Sequence, residues 1–307
     1  MLEAPPIYNI DKLYEAVSAK GHVCVGLDTA ADYLPPAERR RHASDAEAVL
    51  AFNQVIINAS MDCAACYKVQ IAYYEALGRA GLDAYAKTLA YIREKGSLVI
   101  ADIKRGDIAD TALQYAKAHF EGDFEADFVT LSPYMGMDSI EPWLSYAKNK
   151  GKGAFVLLKT SNKGMRDFQY LQLNTKQRLF HAVGDRLAEL AAQYQGNYGY
   201  GAFGAVVGAD PKSQAEQKEA AEIRERYKSL FFLIPGYGAQ GGAAQDAALL
   251  LREGNGGVVN ASRSILKAWT VRNDSGKEID NTIAAEAARE AVLTMRDALW
   301  AAVNTAN

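Results

Sequence analysis

Apolar and polar positions follow two rhythms along this chain. Eight short, nearly continuous apolar runs occupy 22–27, 66–71, 97–101, 127–131, 154–158, 204–208, 230–234 and 257–259. Runs that are apolar on both sides of the pleat predict parallel strands covered on both faces. The intervening segments carry apolar residues at helical spacing. Ser44, with Glu47 three residues on, predicts a capping box that opens a helix through Val49, Phe52 and Ile56. Helices are also predicted over 72–95 (broken at Gly81 and stopped by Gly96), 138–149 and 176–195. Asp210-Pro211 reads as an N-cap followed by proline in the first turn. An Ala-rich helix over 282–303 carries Ile283, Ala287, Val292, Met295 and Leu299 on one face.

Eight strands alternating with helices predict an α/β fold, a single (β/α)8 TIM barrel spanning 1–307, with an open doubly wound sheet as the alternative. The first strand runs into Gly26-Leu27-Asp28-Thr29 rather than Gly-x-Gly-x-x-Gly, which argues against a dinucleotide site. A barrel needs about 250 residues. The remainder of the 307 is assigned to a loop after the first strand, the segment 161–201 and terminal helices.

Composition narrows the function. Lys plus Arg is 34 against 37 Asp plus Glu, a formal net charge of −3, so a nucleic-acid partner is not expected. Arg39-Arg40-Arg41-His42 is read as a solvated loop. Three cysteines, Cys24, Cys63 and Cys66, suit a reducing cytoplasm. Cys63-Ala64-Ala65-Cys66 has no companion ligands at metal spacing, so these thiols are read as structural and no metal is expected. The N-terminus lacks a basic segment followed by an apolar core, and no run approaches the roughly 18 apolar residues of a membrane span. The expectation is a cytoplasmic protein without a membrane partner.

In a barrel the chemistry sits where strands end. Asp28 follows the first strand, Lys68 lies in the second, and the third runs Asp102-Ile103-Lys104-Arg105-Gly106-Asp107. Asp102 and Lys104, two apart on a strand, are expected on one face with Cα atoms roughly 6.6 Å apart. Charges inside a barrel are costly to desolvate unless paired, so Lys68, Asp102, Lys104 and Asp107 are read as an alternating functional array. The fifth strand leads into Thr160-Ser161-Asn162. The seventh ends in Pro235-Gly236-Tyr237-Gly238-Ala239-Gln240-Gly241-Gly242, and Ser262-Arg263 follows the eighth. Glycines there let backbone N–H groups approach an anion. With Gln240 and Arg263 beside them, they are read as a phosphate grip at the place where barrels often hold one.

The order Asp102-x-Lys104-x-x-Asp107-Ile108, with Thr111 four residues on, resembles the signature of the orotidine 5′-phosphate decarboxylase family. The stretch 101–108 is similar to the long bacterial branch. Gly26-Leu27-Asp28, Lys68, 132–136, 160–162, 206–209, 235–242 and Ser262-Arg263 add matches in barrel order from 26 to 263. Two departures are Ser262, where the compact branch usually has Gly, and Asp210, where long-branch relatives often have Thr. The resemblance implies decarboxylation of orotidine 5′-phosphate to uridine 5′-phosphate and carbon dioxide, without a cofactor, as the last step of de novo UMP synthesis. By position it implies that Asp28 and Lys68 hold the ribose hydroxyls and that Asp102 faces the substrate carboxylate. Lys104 is then the general acid at C6, and Ser161 hydrogen-bonds the pyrimidine. Pro235, Gly236, Gln240, Gly241 and Arg263 hold the phosphate. Asp107 and Thr111 reach the ribose region of a neighbouring subunit's site, which implies a homodimer with shared active sites.

Three other readings are open to the same residues. Metal-dependent keto-sugar-phosphate decarboxylases and hexulose-phosphate synthases share Asp-x-Lys-x-x-Asp, but carry a magnesium carboxylate at the strand-two position where this chain has Lys68. An aldolase would form a Schiff base on Lys104. A phosphate-ligand binding module would use the glycine loop and Arg263 but leave the interior Lys/Asp array without a purpose.

Overall fold

The computed structural model describes residues 7–209, 213–238, 243–272 and 279–306. Eight parallel strands close in sequence order into a barrel. They are β1 (Val23–Gly26), β2 (Cys66–Gln70), β3 (Leu98–Arg105), β4 (Phe128–Leu131), β5 (Gly153–Lys159), β6 (Phe203–Val207), β7 (Phe232–Ile234) and β8 (Gly257–Ala261). The pairing of β1 with β8 through Val23–Val259 and Cys24–Asn260 closes the ring. An open doubly wound sheet is thereby excluded.

Side-chain alternation sorts the barrel into layers. One residue of each strand forms an apolar floor inside: Cys24, Cys66, Ile100, Phe128, Phe155, Val206, Leu233 and Val258, all buried in one cluster. The helix Asn9–Lys20 joins this cluster through Ile10, Leu13 and Val17 and caps the N-terminal end of the barrel. The outward-facing residues of the strands, Val23, Val25, Tyr67, Val69, Val99 and Val129 among them, pack in a second cluster with the surrounding helices. Two positions along from the floor, toward the strand C-termini, the interior residues become Gly26, Lys68, Asp102, Thr130, Leu157, Gly208, Pro235 and Asn260. Chemistry begins one alternation above the floor.

Helix boundaries mostly follow the sequence, with two differences. The break in the helical stretch after β2 falls between Ala72–Glu75 and Gly78–Glu94, where Gly78 takes a φ of +67°, and not at Gly81. Gly81 lies within the second helix, at a point where a Cβ would stand 2.0 Å from the Tyr74 carbonyl oxygen. Its small size serves packing, not a break. The segment 138–149 begins as two 3-10 turns, Met137–Ser139 and Glu141–Trp143, before the helix Leu144–Lys150. Ser44 caps Asp45–Ser60 by accepting from the Glu47 N–H, and the Glu47 carboxylate reaches back to the Ala43 N–H. The expected Asp210-Pro211 helix start lies outside the described residues.

All three cysteines are buried and free, as expected of structural thiols. Among the described residues no helix is long and apolar enough to cross a membrane.

Candidate active site

A cavity of about 310 Å³ opens at the C-terminal rim of the barrel, lined by Asp28, Lys68, Asp102, Lys104, Pro235, Gly236 and Arg263, with Tyr33, Tyr73 and Ser262 beside them. A second cavity of about 260 Å³ adjoins it and shares Lys68, Asp102, Lys104, Pro235 and Asn260. Thr130, Leu157, Thr160, Ser161 and Asn162 line the rest of its wall together with Val206 and Leu233. The first compartment is bordered by the segments after β7 and β8, the second by the segment after β5.

Asp102 is the centre. It is 6% exposed and accepts four hydrogen bonds. Its Oδ1 takes Lys104 Nζ at 2.7 Å and Thr130 Oγ1 at 2.8 Å. Its Oδ2 takes Lys68 Nζ at 3.0 Å and Gln70 Nε2 at 2.9 Å. An ionised carboxylate has about four acceptor positions, so this one is saturated and its orientation is set by four partners. Burial pushes the Asp102 carboxyl upward, but the Lys68 and Lys104 ammonium groups outweigh it and hold the group well below the usual carboxylate range. Lys68 is buried and also bonds Asp28 Oδ1 at 2.9 Å. Burial alone would lower its affinity for a proton; Asp102 and Asp28 raise it beyond that of a free lysine. Asp28 is tied on its other oxygen by Ser262 Oγ at 2.9 Å. That contact needs a bare backbone at Gly26, where a Cβ would lie 2.0 Å from Ser262 Oγ.

Lys104 does not sit on plain strand geometry. Its φ is +44°, a conformation that costs a non-glycine residue about 1–3 kcal/mol. The β3–β4 register slips at the same place: Ala101 pairs with Val129, but Arg105 pairs with Leu131. Four steps along β3 face two along β4. The Lys104 ammonium still reaches Asp102, and its side chain remains about half exposed toward the cavity.

Of the residues singled out in the sequence, Asp28, Lys68, Asp102 and Lys104 come together as one network, while Ser161, Pro235, Gly236 and Arg263 line the cavities around it. Ser161 approaches Gly208 so closely that a Cβ there would lie 2.7 Å from the serine Cβ. Arg263 opens the short helix Arg263–Leu266, with its guanidinium beside the Tyr33 hydroxyl. Asp107 is not part of the interior array: its Oδ1 accepts from the Ile108 N–H, beyond the end of β3. The fourth charge of the network is Asp28; Asp107 lies past Arg105, where β3 ends. Thr111 is exposed on the helix Ala109–Phe120. Gln240 and Gly241 lie outside the described residues.

Gln70, Thr130 and Ser262 were missed as participants. The signal for Thr130 was available: it lies two residues past Phe128, as Asp102 lies two past Ile100. Gln70 is two past Lys68 on the same strand and reaches Asp102 from the neighbouring position in register.

A family model described as Orotidine 5′-phosphate decarboxylase / HUMPS family matches residues 21–276. The chain belongs to this family. It is 53% identical over 288 residues to the orotidine 5′-phosphate decarboxylase of Clostridium kluyveri, covering 94% of this chain and 96% of that one. The Clostridium perfringens (strain SM101) protein of the same name is 52% identical over 293 residues, 95% of this chain and 98% of its own. Among solved structures, the OMP decarboxylase of Leishmania donovani superposes with a TM-score of 0.71 at 31% identity, covering 95% of this chain and 100% of that one. The family assignment and the barrel therefore agree. At the strand-two position stands Lys68, whose ammonium engages Asp28 and Asp102. Among the described residues no group of three or more His, Cys, Asp or Glu side chains is placed to hold a metal ion.

Proposed function

We propose that this protein is a carboxy-lyase that converts orotidine 5′-phosphate to uridine 5′-phosphate and carbon dioxide in pyrimidine biosynthesis, with Lys104 as the proton donor to C6. The observation that carries the reading is the Asp102 carboxylate, buried and held ionised between two ammonium groups, one of which faces an open cavity. A neutral binding pocket has no use for such a costly arrangement.

The chemistry follows from the charges. The C6–carboxylate bond breaks and its electron pair stays on C6. A fixed ammonium stabilises that developing charge more in the transition state than in the ground state. The Lys104 Nζ–H then transfers its proton to C6, and the resulting amine regains a proton from solvent. Asp102 serves twice. It holds Lys104 in place, and it sets a negative charge where the substrate carboxylate must lie, a repulsion relieved as carbon dioxide departs. Asp28 and Lys68 hold the ribose hydroxyls, and Ser161, on the wall of the second cavity, hydrogen-bonds the pyrimidine. The segments after β7 and β8, with Pro235, Gly236, Gln240, Gly241 and Arg263, hold the phosphate. The reading places the enzyme in the cytoplasm as a homodimer, with Asp107 and Thr111 completing the site of the partner subunit. Their position outside their own chain's network fits that role.

The decisive experiment mixes the protein with orotidine 5′-phosphate in the presence of a chelator and follows the ultraviolet change. Steady loss of substrate, insensitive to the chelator, is expected. Turnover only on adding magnesium would favour a metal-dependent relative.

A further inference from the structure

Thr130 stands at a place where three demands meet. The slip between β3 and β4 takes the Ile103 and Lys104 N–H groups out of the regular ladder. Both donate instead to Thr130 Oγ1, each at 2.9 Å. The hydroxyl proton of Thr130 is directed to Asp102 Oδ1 at 2.8 Å, the same oxygen that receives Lys104 Nζ at 2.7 Å. One buried hydroxyl thus has both acceptor positions and its single proton committed. It binds the backbone of Lys104 and the counter-ion of the Lys104 side chain.

We propose that Thr130 is a positioning residue for the decarboxylation, the group that holds the left-handed backbone at Lys104 and fixes the Lys104–Asp102 separation. The inference rests on Lys104 as the proton donor. The logic is geometric. With φ at +44°, Lys104 leaves the extended conformation its neighbours hold, so some group must select this state over a regular strand continuation. The two N–H donations to Thr130 Oγ1 exist only in the bulged form. The donation to Asp102 couples that form to the carboxylate, so backbone and ion pair are set together. The β-branch of threonine stiffens χ1, which keeps the hydroxyl aimed while the cavity fills and empties. A valine has the same shape and stiffness but neither accepts nor donates there. It leaves two N–H groups without their acceptor and frees Asp102 to follow the lysine.

The test is the kinetics of Thr130→Val and Thr130→Ser with orotidine 5′-phosphate, next to Lys104→Ala. A displacement of reacting groups by about 1 Å costs on the order of 100-fold in rate. Thr130→Val is therefore expected to lose about 10- to 100-fold in kcat with KM changed less than about threefold. Thr130→Ser, which restores the hydroxyl, is expected to recover most of that loss. Uridine 5′-phosphate affinity should change little in either variant. If Thr130→Val does not fold, Thr130→Cys, similar in size but a poor partner for N–H and carboxylate, is measured in its place with the same expectation. A folded Thr130→Val or Thr130→Cys with full kcat overturns the proposal, as does a loss confined to KM, which would make Thr130 a substrate contact. The parent reading fails separately, through an active Lys104→Ala.

Discussion

Lys104 Nζ lies 2.7 Å from Asp102 Oδ1 even though the Lys104 backbone, at a φ of +44°, departs from the extended conformation of the strand the two residues share. Two-residue spacing brings the pair to one side, and the bulge then lifts the lysine toward the cavity mouth while Asp102 stays buried. The result is an ammonium with one face on a fixed anion and the other on the space where a ligand fits.

On the proposed mechanism, replacing Lys104 with alanine removes the proton donor and the charge facing C6. Because its side chain is half exposed, folding should survive. Turnover of orotidine 5′-phosphate should fall by at least about 10³-fold, combining the loss of a general acid with the loss of electrostatic stabilisation. Circular dichroism checks the fold and a spectrophotometric assay the rate. Covalent trapping of substrate on Lys104 by borohydride would instead support a Schiff-base reaction.

In the proposed reading Arg263 holds the phosphate, remote from the bond that breaks. Arg263→Ala should raise KM by about 10- to 100-fold, the worth of a charge-assisted hydrogen bond or two, with a smaller effect on kcat. Steady-state kinetics decides it; an unaltered KM would remove Arg263 from the phosphate grip.

Lys68 neutralises two carboxylates from within the barrel. Lys68→Met should destabilise the fold by about 3–5 kcal/mol, the cost of leaving buried charge unpaired, as read from the urea midpoint. Lys68→Met combined with Asp28→Asn should recover part of that loss.

His119, buried behind β3, titrates low: burial first, then the Arg105 guanidinium, brings its pKa to about 4 from 6.5. A depressed folded pKa means that the unfolded chain takes up the proton first. Stability from this residue is therefore intact above pH 6.5 and is lost as pH falls toward 4. The loss attributable to it between pH 7 and 5 should be about 2 kcal/mol. Urea titrations at the two pH values should show a shallower acid decline in His119→Leu than in the parent. Equal declines would mean that His119 is not the titrating group.

Two inactive variants test the shared site. Lys104→Ala and Asp107→Ala each should be nearly inactive alone. Mixed under conditions that exchange subunits, they should regain activity, because one site of the hybrid then has both residues intact. No recovery after verified exchange would place Asp107 in its own chain's site.

Much of this could be read along the chain. Eight apolar runs separated by helical periods point to a parallel α/β fold, and of the barrel and the open sheet that fit them the barrel is the one observed. Asp28, Lys68, Asp102 and Lys104 were legible because charged residues inside or just after apolar strands carry a desolvation cost that only pairing or function offsets. Thr130 and Gln70 were harder to see. A lone threonine in Phe128–Leu131 is an ordinary strand residue until Asp102 is placed next to it, and Gln70 gains its partner from the adjacent strand. Asp107 lies outside its own chain's network because it comes after Arg105, the last residue of β3.

The sequence by itself determined the strand and helix order, the parallel α/β class and the residue types at the strand ends, since period and local chemistry are properties of the chain, while closure into a barrel came from the pairing of β1 with β8. Only the tertiary structure decided which charges meet. Pairing depends on register between strands and on a bulge at Lys104 that strand alternation does not encode. Asp28, 74 residues before Asp102, joins it through Lys68 only when β1, β2 and β3 lie side by side.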